Sequence, residues 1–262
     1  MDDGTTGSED GGRRYPEIRH AWGGRVHLLD DPVAWSLLAR LGHPETRQPE
    51  VGRLVRRLYE ALAWTALAAE LPRVEVDVPT RMRDSVPGAA YRGPAIDRSA
   101  RAVSVAIHRA GTVPSQIVYE TLNELLDPEG VRQDHIVMSR QTDAEGRVTG
   151  VSFGDSKVGQ EVDGRTIVLP DPMGATGSSM STAIGRYREL GTPARVVALH
   201  LIVTPEYLRR LRTDHPDAIV YAYRYDRGLS PRAALAALPG THEAERGLDD
   251  RQYIVPGAGG LG

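Results

Sequence analysis

Cysteine is absent from the 262 residues, which excludes disulfide scaffolding, thiolate-held zinc, iron–sulfur clusters and thiol nucleophiles together. Any chemistry must then use oxygen, nitrogen or an ion. An uninterrupted apolar run near the roughly 20 residues that span a bilayer is also missing. The opening Met-Asp-Asp-Gly-Thr-Thr-Gly is acidic and glycine-rich where a secretory leader is basic and then apolar, so a soluble, cytoplasmic chain without a membrane partner is expected. Basic bias is missing too: the formal charge is -3 and arginines are scattered along the chain, which argues against nucleic acid. At 40% hydrophobic residues the chain suits one compact core. We expect a disordered tail over residues 1–20, wholly polar from Met1 to Arg14, and a single domain over 21–262.

From Pro49 to Leu71 the apolar residues Val51, Leu54, Val55, Leu58, Leu62 and Leu67 recur at helical spacing and predict a long amphipathic helix facing the core or a dimer partner. Thr80 to Ser99 reads as a loop. Beyond it come five β-rich runs, Ala102–Ile107, His135–Met138, Thr166–Leu169, Val196–Val203 and Ile219–Tyr223. Helical stretches alternate with them at Ser115–Leu126, Ser179–Leu190 and Thr204–Arg212, the last opening with a Thr-Pro-Glu start signal. Gln141 to Gly164 is polar and reads as a hairpin or flexible loop. Runs apolar on both faces, alternating with helices, predict an α/β fold with a mainly parallel sheet flanked by helices. Ligands of such sheets bind at the carboxyl ends of the strands.

Those ends carry the informative residues. Arg109 follows the first run, Arg140 the second, and Asp171 the third, leading into Gly174-Ala175-Thr176-Gly177-Ser178-Ser179 before a helix. Small residues there allow amide N–H groups and hydroxyls to close round an anion at a helix N-terminus. The segment is neither a Walker loop nor a nucleophile elbow. Asp171 can accept hydrogen bonds from sugar hydroxyls, and the two guanidinium groups can take further phosphate oxygens. Phosphoribosyl diphosphate offers that set of groups.

Ile167 to Ser179, IVLPDPMGATGSS, resembles the phosphoribosyl-diphosphate motif of uracil phosphoribosyltransferases. Arg109-Ala110-Gly111 is similar to that family's Arg-Ala-Gly turn, and Tyr253-Ile254-Val255-Pro256-Gly257 to its uracil loop. Arg25–Asp31 and Leu71–Pro79 look like its N-terminal helical arm. The resemblance implies the type I phosphoribosyltransferase fold with that arm and a small base-binding hood. It implies that Asp171, Pro172, Met173, Gly174, Ala175, Thr176, Gly177, Ser178 and Ser179 hold the ribose 5-phosphate. Arg109 and Arg140 would contact the diphosphate side and, with Asp171, form the catalytic set. Main-chain groups of Ile254, Gly259, Gly260 and Leu261 would read the base. The reaction implied joins uracil to phosphoribosyl diphosphate, giving UMP and diphosphate in pyrimidine salvage, with Mg²⁺ carried on the donor and no metal ligands assigned to the protein. A homodimer or higher homo-oligomer and a GTP effector belong to the same implication.

Several positions depart from the family pattern. Gly260 stands where the family carries an aspartate, Gly174 where it carries leucine, and Ser178 where it carries glycine; residues from roughly Leu229 to Arg246 look inserted. The alternatives are therefore a non-catalytic nucleotide-binding regulator and a transferase for a modified uracil-like base in nucleoside biosynthesis. Gly257–Gly262 matches a dinucleotide fingerprint in letters only, because no helix follows. His108 reads as a structural or solvated histidine, and Asp171 has an alternative reading as a helix cap. His43, His200 and His215 lack ligand spacing.

Overall fold

The computed structural model describes residues 15–142, 148–154 and 156–260, and for residues 139–142 and 148–153 it describes the main chain. In chain order the elements are β1 (Val26–Leu28), α1 (Pro32–Leu41), α2 (Glu50–Glu70), β2 (Arg73–Pro79), β3 (Ala90–Ile96), β4 (Ala102–His108), α3 (Thr112–Leu125), β5 (Val131–Thr142) and β6 (Val148–Phe153). There follow β7 (Thr166–Pro170), β8 (Met173–Gly174), α4 (Ser178–Leu190), β9 (Arg195–Val203), α5 (Pro205–Asp214), β10 (Ile219–Tyr225) and α6 (Arg232–Ala236).

The main sheet runs β1-β10-β9-β7-β4-β5-β6, with short β8 beside β9. Its pairings are parallel apart from the β5–β6 hairpin. Alternate strand residues feed two cores. On β9, Val197, Leu199 and Leu201 pack with α1, α2 and α3, whereas Val196 and Ala198 pack with α4 and α5. Leu54, Val55, Leu58, Leu62 and Leu67 of α2 are buried as its spacing predicts, and Val51 packs at the margin. Asp31 and Thr204 cap α1 and α5, accepting from amides two and three residues on.

The N-terminal third differs from expectation. Arg25–Asp31 contributes edge strand β1, and Leu71–Pro79 contributes β2, so neither is helical; the helices of this region are α1 and α2. In Arg73-Val-Glu-Val-Asp-Val the apolar residues alternate with charges at the strand period of two, which a helix cannot segregate. The supposed loop Thr80–Ser99 contains β3, which pairs antiparallel with β2 as a separate ribbon. Residues 15–20, assigned to the tail, are tied down: Ile18 donates to Leu28, Asp30 donates to Pro16, and Ile18 packs on the core. Met1–Arg14 lies outside the described residues. The hairpin reading of Gln141–Gly164 matches β5–β6, with 143–147 and 155 outside the described residues.

Strand order places the site. From β4 the chain moves to β5 on one side, while β7, β9 and β10 extend to the other. The carboxyl ends of β4 and β7 therefore flank the point where the winding reverses, the position that binds ligands in open α/β sheets.

Candidate functional site

A pocket of about 540 Å³ opens there. His108, Arg109 and Ala110 enter it from the end of β4, Asp171, Met173, Ala175 and Ser179 from the turn between β7 and α4, and Met138 from β5. Tyr253, Ile254, Ala258, Gly259 and Gly260 close the opposite wall, with Gln252 and Pro256 beside them. The loop after β4 lies against β7 because residue 111 is glycine: a Cβ there would sit 2.8 Å from the Ile107 carbonyl oxygen and 2.9 Å from that of Pro170. The His108–Arg109, Gln48–Pro49 and Val255–Pro256 bonds are cis.

Gly177 heads α4 at φ 78, in the left-handed region where a Cβ is strained, and no side chain caps the helix start. The Ser178 amide makes a long bond to Thr176 Oγ1 at 3.4 Å, and among the described residues the next amides of the first turn are left to an outside acceptor, at the positive end of the helix dipole. Thr176 Oγ1 and Ser178 Oγ lie 3.0 Å apart at the same lip. Asp171 does not cap α4, whose N-cap is Gly177, so the bland reading of this aspartate does not hold. Arg109 is exposed and, among the described residues, pairs with no carboxylate.

Electrostatics set Asp171 apart. Burial pushes its carboxyl up to about 7, only partly countered by the Met173 amide. Directly beneath, His200 is fully buried in the middle of β9, and burial pulls it down to about 4, so it is neutral. Its Nδ1 lies 2.5 Å from the Asp171 main-chain oxygen and its Nε2 2.5 Å from Tyr207 Oη. A carbonyl only accepts, so Nδ1 carries the proton and Nε2 accepts from the tyrosine hydroxyl. Tyr59 and Tyr207 are both raised, first by burial and then by the charge of Asp171. At the pocket rim His108 Nε2 and His135 Nδ1 are 3.2 Å apart.

The wall formed by Tyr253 to Gly260 is tied to the end of β10. Arg224 and Asp226 form a two-point ion pair at 2.7 and 2.8 Å. Asp226 also accepts from the Gly257 amide at 2.8 Å, and Arg224 donates to the Gly257 carbonyl at 2.7 Å. The Glu206 carboxylate accepts from the Gly247 and Leu248 amides, and the main chain of Leu248 bridges Ile254. Gly257 turns at φ 63, where a Cβ would meet the Ile254 oxygen at 2.3 Å.

Of the residues expected to meet, Arg109, Asp171, Met173, Ala175, Ser179, Ile254, Gly259 and Gly260 share this pocket. Pro172, Gly174, Thr176, Gly177 and Ser178 build the turn behind it without lining it. Arg140 pairs with Val151 in β5–β6, its side chain lying outside the description, and Leu261 is outside the described residues. The 229–246 segment does not line the pocket. Its buried Glu245 bonds Arg227, Tyr225 Oη and the Gly240 amide, clamping the segment to the end of β10. Sequence reasoning passed over His200, Tyr207, Arg224 and Asp226.

Fold and pocket together define an α/β ligand-binding domain whose strand ends surround a small-residue turn and a single carboxylate, Asp171. The family model for uracil phosphoribosyltransferase matches residues 28–244. The chain belongs to the uracil phosphoribosyltransferase family and is a pentosyltransferase. It is 27% identical over 240 residues to a uracil phosphoribosyltransferase of Rhodococcus jostii, covering 91% of this chain and 96% of that one. It is 33% identical over 100 residues to the Thermococcus sibiricus enzyme of the same name, covering 38% and 40%. In fold it resembles the AQ2163 protein of Aquifex aeolicus, with a TM-score of 0.68 at 20% identity over 90% of this chain and 95% of that structure. Among the described residues no helix is long and apolar enough to cross a membrane.

Proposed function

We propose that residues 21–262 form one cytoplasmic phosphoribosyltransferase domain that joins uracil to phosphoribosyl diphosphate, releasing diphosphate and UMP. The observation that carries this reading is the convergence of the glycine-headed start of α4, Asp171 and Arg109, which has no carboxylate partner among the described residues, on one pocket wall, opposite the main chain of Ile254 and Gly259. The turn from Pro172 to Ser179 cradles the 5-phosphate, and Asp171 accepts from the pentose hydroxyls. Arg109, joined by Arg140, holds the diphosphate and stabilises its departing charge. Main-chain groups of Ile254, Gly259, Gly260 and Leu261 match the alternating donors and acceptors of the uracil edge. Catalysis then comes from alignment of ring nitrogen, anomeric carbon and leaving group.

Among the described residues no three His, Asp or Glu side chains group as a metal cage. One carboxylate beside diphosphate oxygens and water is nonetheless a donor set that suits Mg²⁺, so Asp171 would hold the ion that arrives with the donor. Bound there, Mg²⁺ would neutralise diphosphate charge. A homodimer would cover the exposed apolar residues on α2 and the β2–β3 ribbon, among them Trp64 at 58% and Val78 at 51% exposure, which supports that part of the reading. A GTP effector is part of the same family-based reading; nucleic acid and membrane are not.

The test is UMP and diphosphate formation from uracil, donor and Mg²⁺. A second reading, a nucleotide-binding regulator, is favoured by Gly260, which brings no side chain to the wall where the family has a carboxylate. Donor binding in calorimetry without turnover, together with activity gained by Gly260→Asp, would select it. Turnover with other pyrimidines but not uracil would select the modified-base transferase.

A further inference from the structure

We propose that His200 and Tyr207 are positioning residues of the donor turn, gripping it from below and filling the volume that Gly174 leaves empty. The inference rests on the phosphoribosyltransferase reading. Histidine 200 interrupts an otherwise apolar strand, Arg-Val-Val-Ala-Leu-His-Leu-Ile-Val, and is completely buried. Such a ring is costly unless both nitrogens are satisfied. They are satisfied by the Asp171 carbonyl and the Tyr207 hydroxyl, each at 2.5 Å, with the two rings 4.6 Å apart and nearly perpendicular.

Tyr207 sits in the first turn of α5, where its amide donates to Thr204 Oγ1 at 3.0 Å. Thr204 in turn donates its hydroxyl to the Ala175 carbonyl at 2.6 Å and its amide to the Gly174 carbonyl at 3.0 Å. The start of α5 thus holds Asp171, Gly174 and Ala175 at once. A Cβ on Gly174 would stand 3.0 and 3.1 Å from the Tyr207 ring and 2.9 Å from Val203 Cγ1. The leucine usual in the family at this position cannot share the space with Tyr207, so glycine and tyrosine form a matched pair. The turn is therefore set in place before the sugar phosphate arrives.

Three variants and the wild type decide the matter by steady-state kinetics and donor calorimetry. Tyr207→Phe keeps the ring and removes the hydroxyl; donor KM should rise about fivefold while uracil KM stays constant, the size of one lost hydrogen bond. Gly174→Leu should overpack the turn and weaken the donor about tenfold or more. Combining it with Tyr207→Gly should bring donor affinity back from the Gly174→Leu level to about the fivefold loss of Tyr207→Phe, a coupling that independent sites do not show. The proposal is overturned if Tyr207→Phe leaves donor KM unchanged or moves both KM values alike. It is equally overturned if the double variant is no better than Gly174→Leu. Wild-type protein that neither binds donor nor turns over would instead remove the phosphoribosyltransferase reading, and this inference with it.

Discussion

The turn after β7 and the loop after β10 both reach the pocket as runs of small residues, yet different forces hold them. Beneath the donor-side turn lies a neutral, fully buried array of His200, Tyr207 and Thr204. Behind the base-side loop stand ionised groups: Arg224 with Asp226, and the Glu206 carboxylate on two amides. Neutral hydrogen bonds in a dry interior keep their geometry as salt and ligand change, whereas a charged anchor is stronger singly and fails harder when one partner is removed. The arrangement suits two ligands of different character. On the proposed reading a sugar phosphate would carry its own charge into a preset uncharged frame, and a planar neutral base would meet main-chain groups aligned by ions further back.

Removing the charged anchor gives the largest expected effect. Asp226→Ala strands the partly buried Arg224 guanidinium and frees the Gly257 amide; a loss of about 3 kcal/mol is expected in urea unfolding. Uracil binding should vanish in calorimetry at temperatures where the variant is still folded, with donor binding retained. Equal loss of both ligands would show that the two walls are one unit. Next in size is Asp171→Asn, expected to weaken the donor by about 2 kcal/mol, roughly thirtyfold, while sparing the base. Because burial holds this carboxyl near 7, wild-type donor affinity should climb as pH rises through neutrality, when both oxygens become acceptors, and the Asn variant should show no such climb.

The smallest effect lies in the pH dependence of stability. Asp171, raised from 3.8 to about 7, keeps its proton in the fold after the unfolded chain has lost it, so its contribution declines as pH rises between those values. His200, lowered from 6.5 to about 4, refuses a proton that the unfolded chain takes, so its contribution declines as pH falls over nearly the same window. The two slopes oppose each other. Asp171→Asn should therefore sharpen acid destabilisation between pH 6.5 and 4, and His200→Leu should reverse the slope, both read from melting temperature against pH. Parallel curves for all three proteins would sink the assignment.

Much of this molecule was legible beforehand where one physical rule dominated. Four of the five β-rich runs are buried on both faces and form inner strands, and the α2 stripe had one consistent period. Glycine, serine and threonine between a strand and a helix announced the turn that leads from β7 to α4 beside the pocket. The alternation in Arg73–Pro79 was equally plain, but the family's helical arm was imposed on it, and the local pattern was the better guide. His200 was passed over because it was weighed as a metal ligand. As a polar ring inside an apolar strand it had instead to own two partners, and only the fold brings Tyr207, on the next helix, within reach. Arg224 lies near the end of β10 and Asp226 just past it, two residues apart, a spacing that hinted at a pair on one face. Their hold on Gly257 spans some thirty residues and needed the structure. The segment from roughly Leu229 to Arg246 is held to the end of β10 by Glu245, whose burial no local pattern foretold.

Gly42, just past α1, comes within reach of the Gly257 carbonyl and Ala258, where a Cβ would stand 3.4 and 3.5 Å away. On the proposed reading, the wall that would receive the base is thus backed by a part of the polypeptide made more than two hundred residues earlier. During synthesis the sugar-phosphate cradle could assemble while the remainder is still on the ribosome; the heterocycle's seat could not.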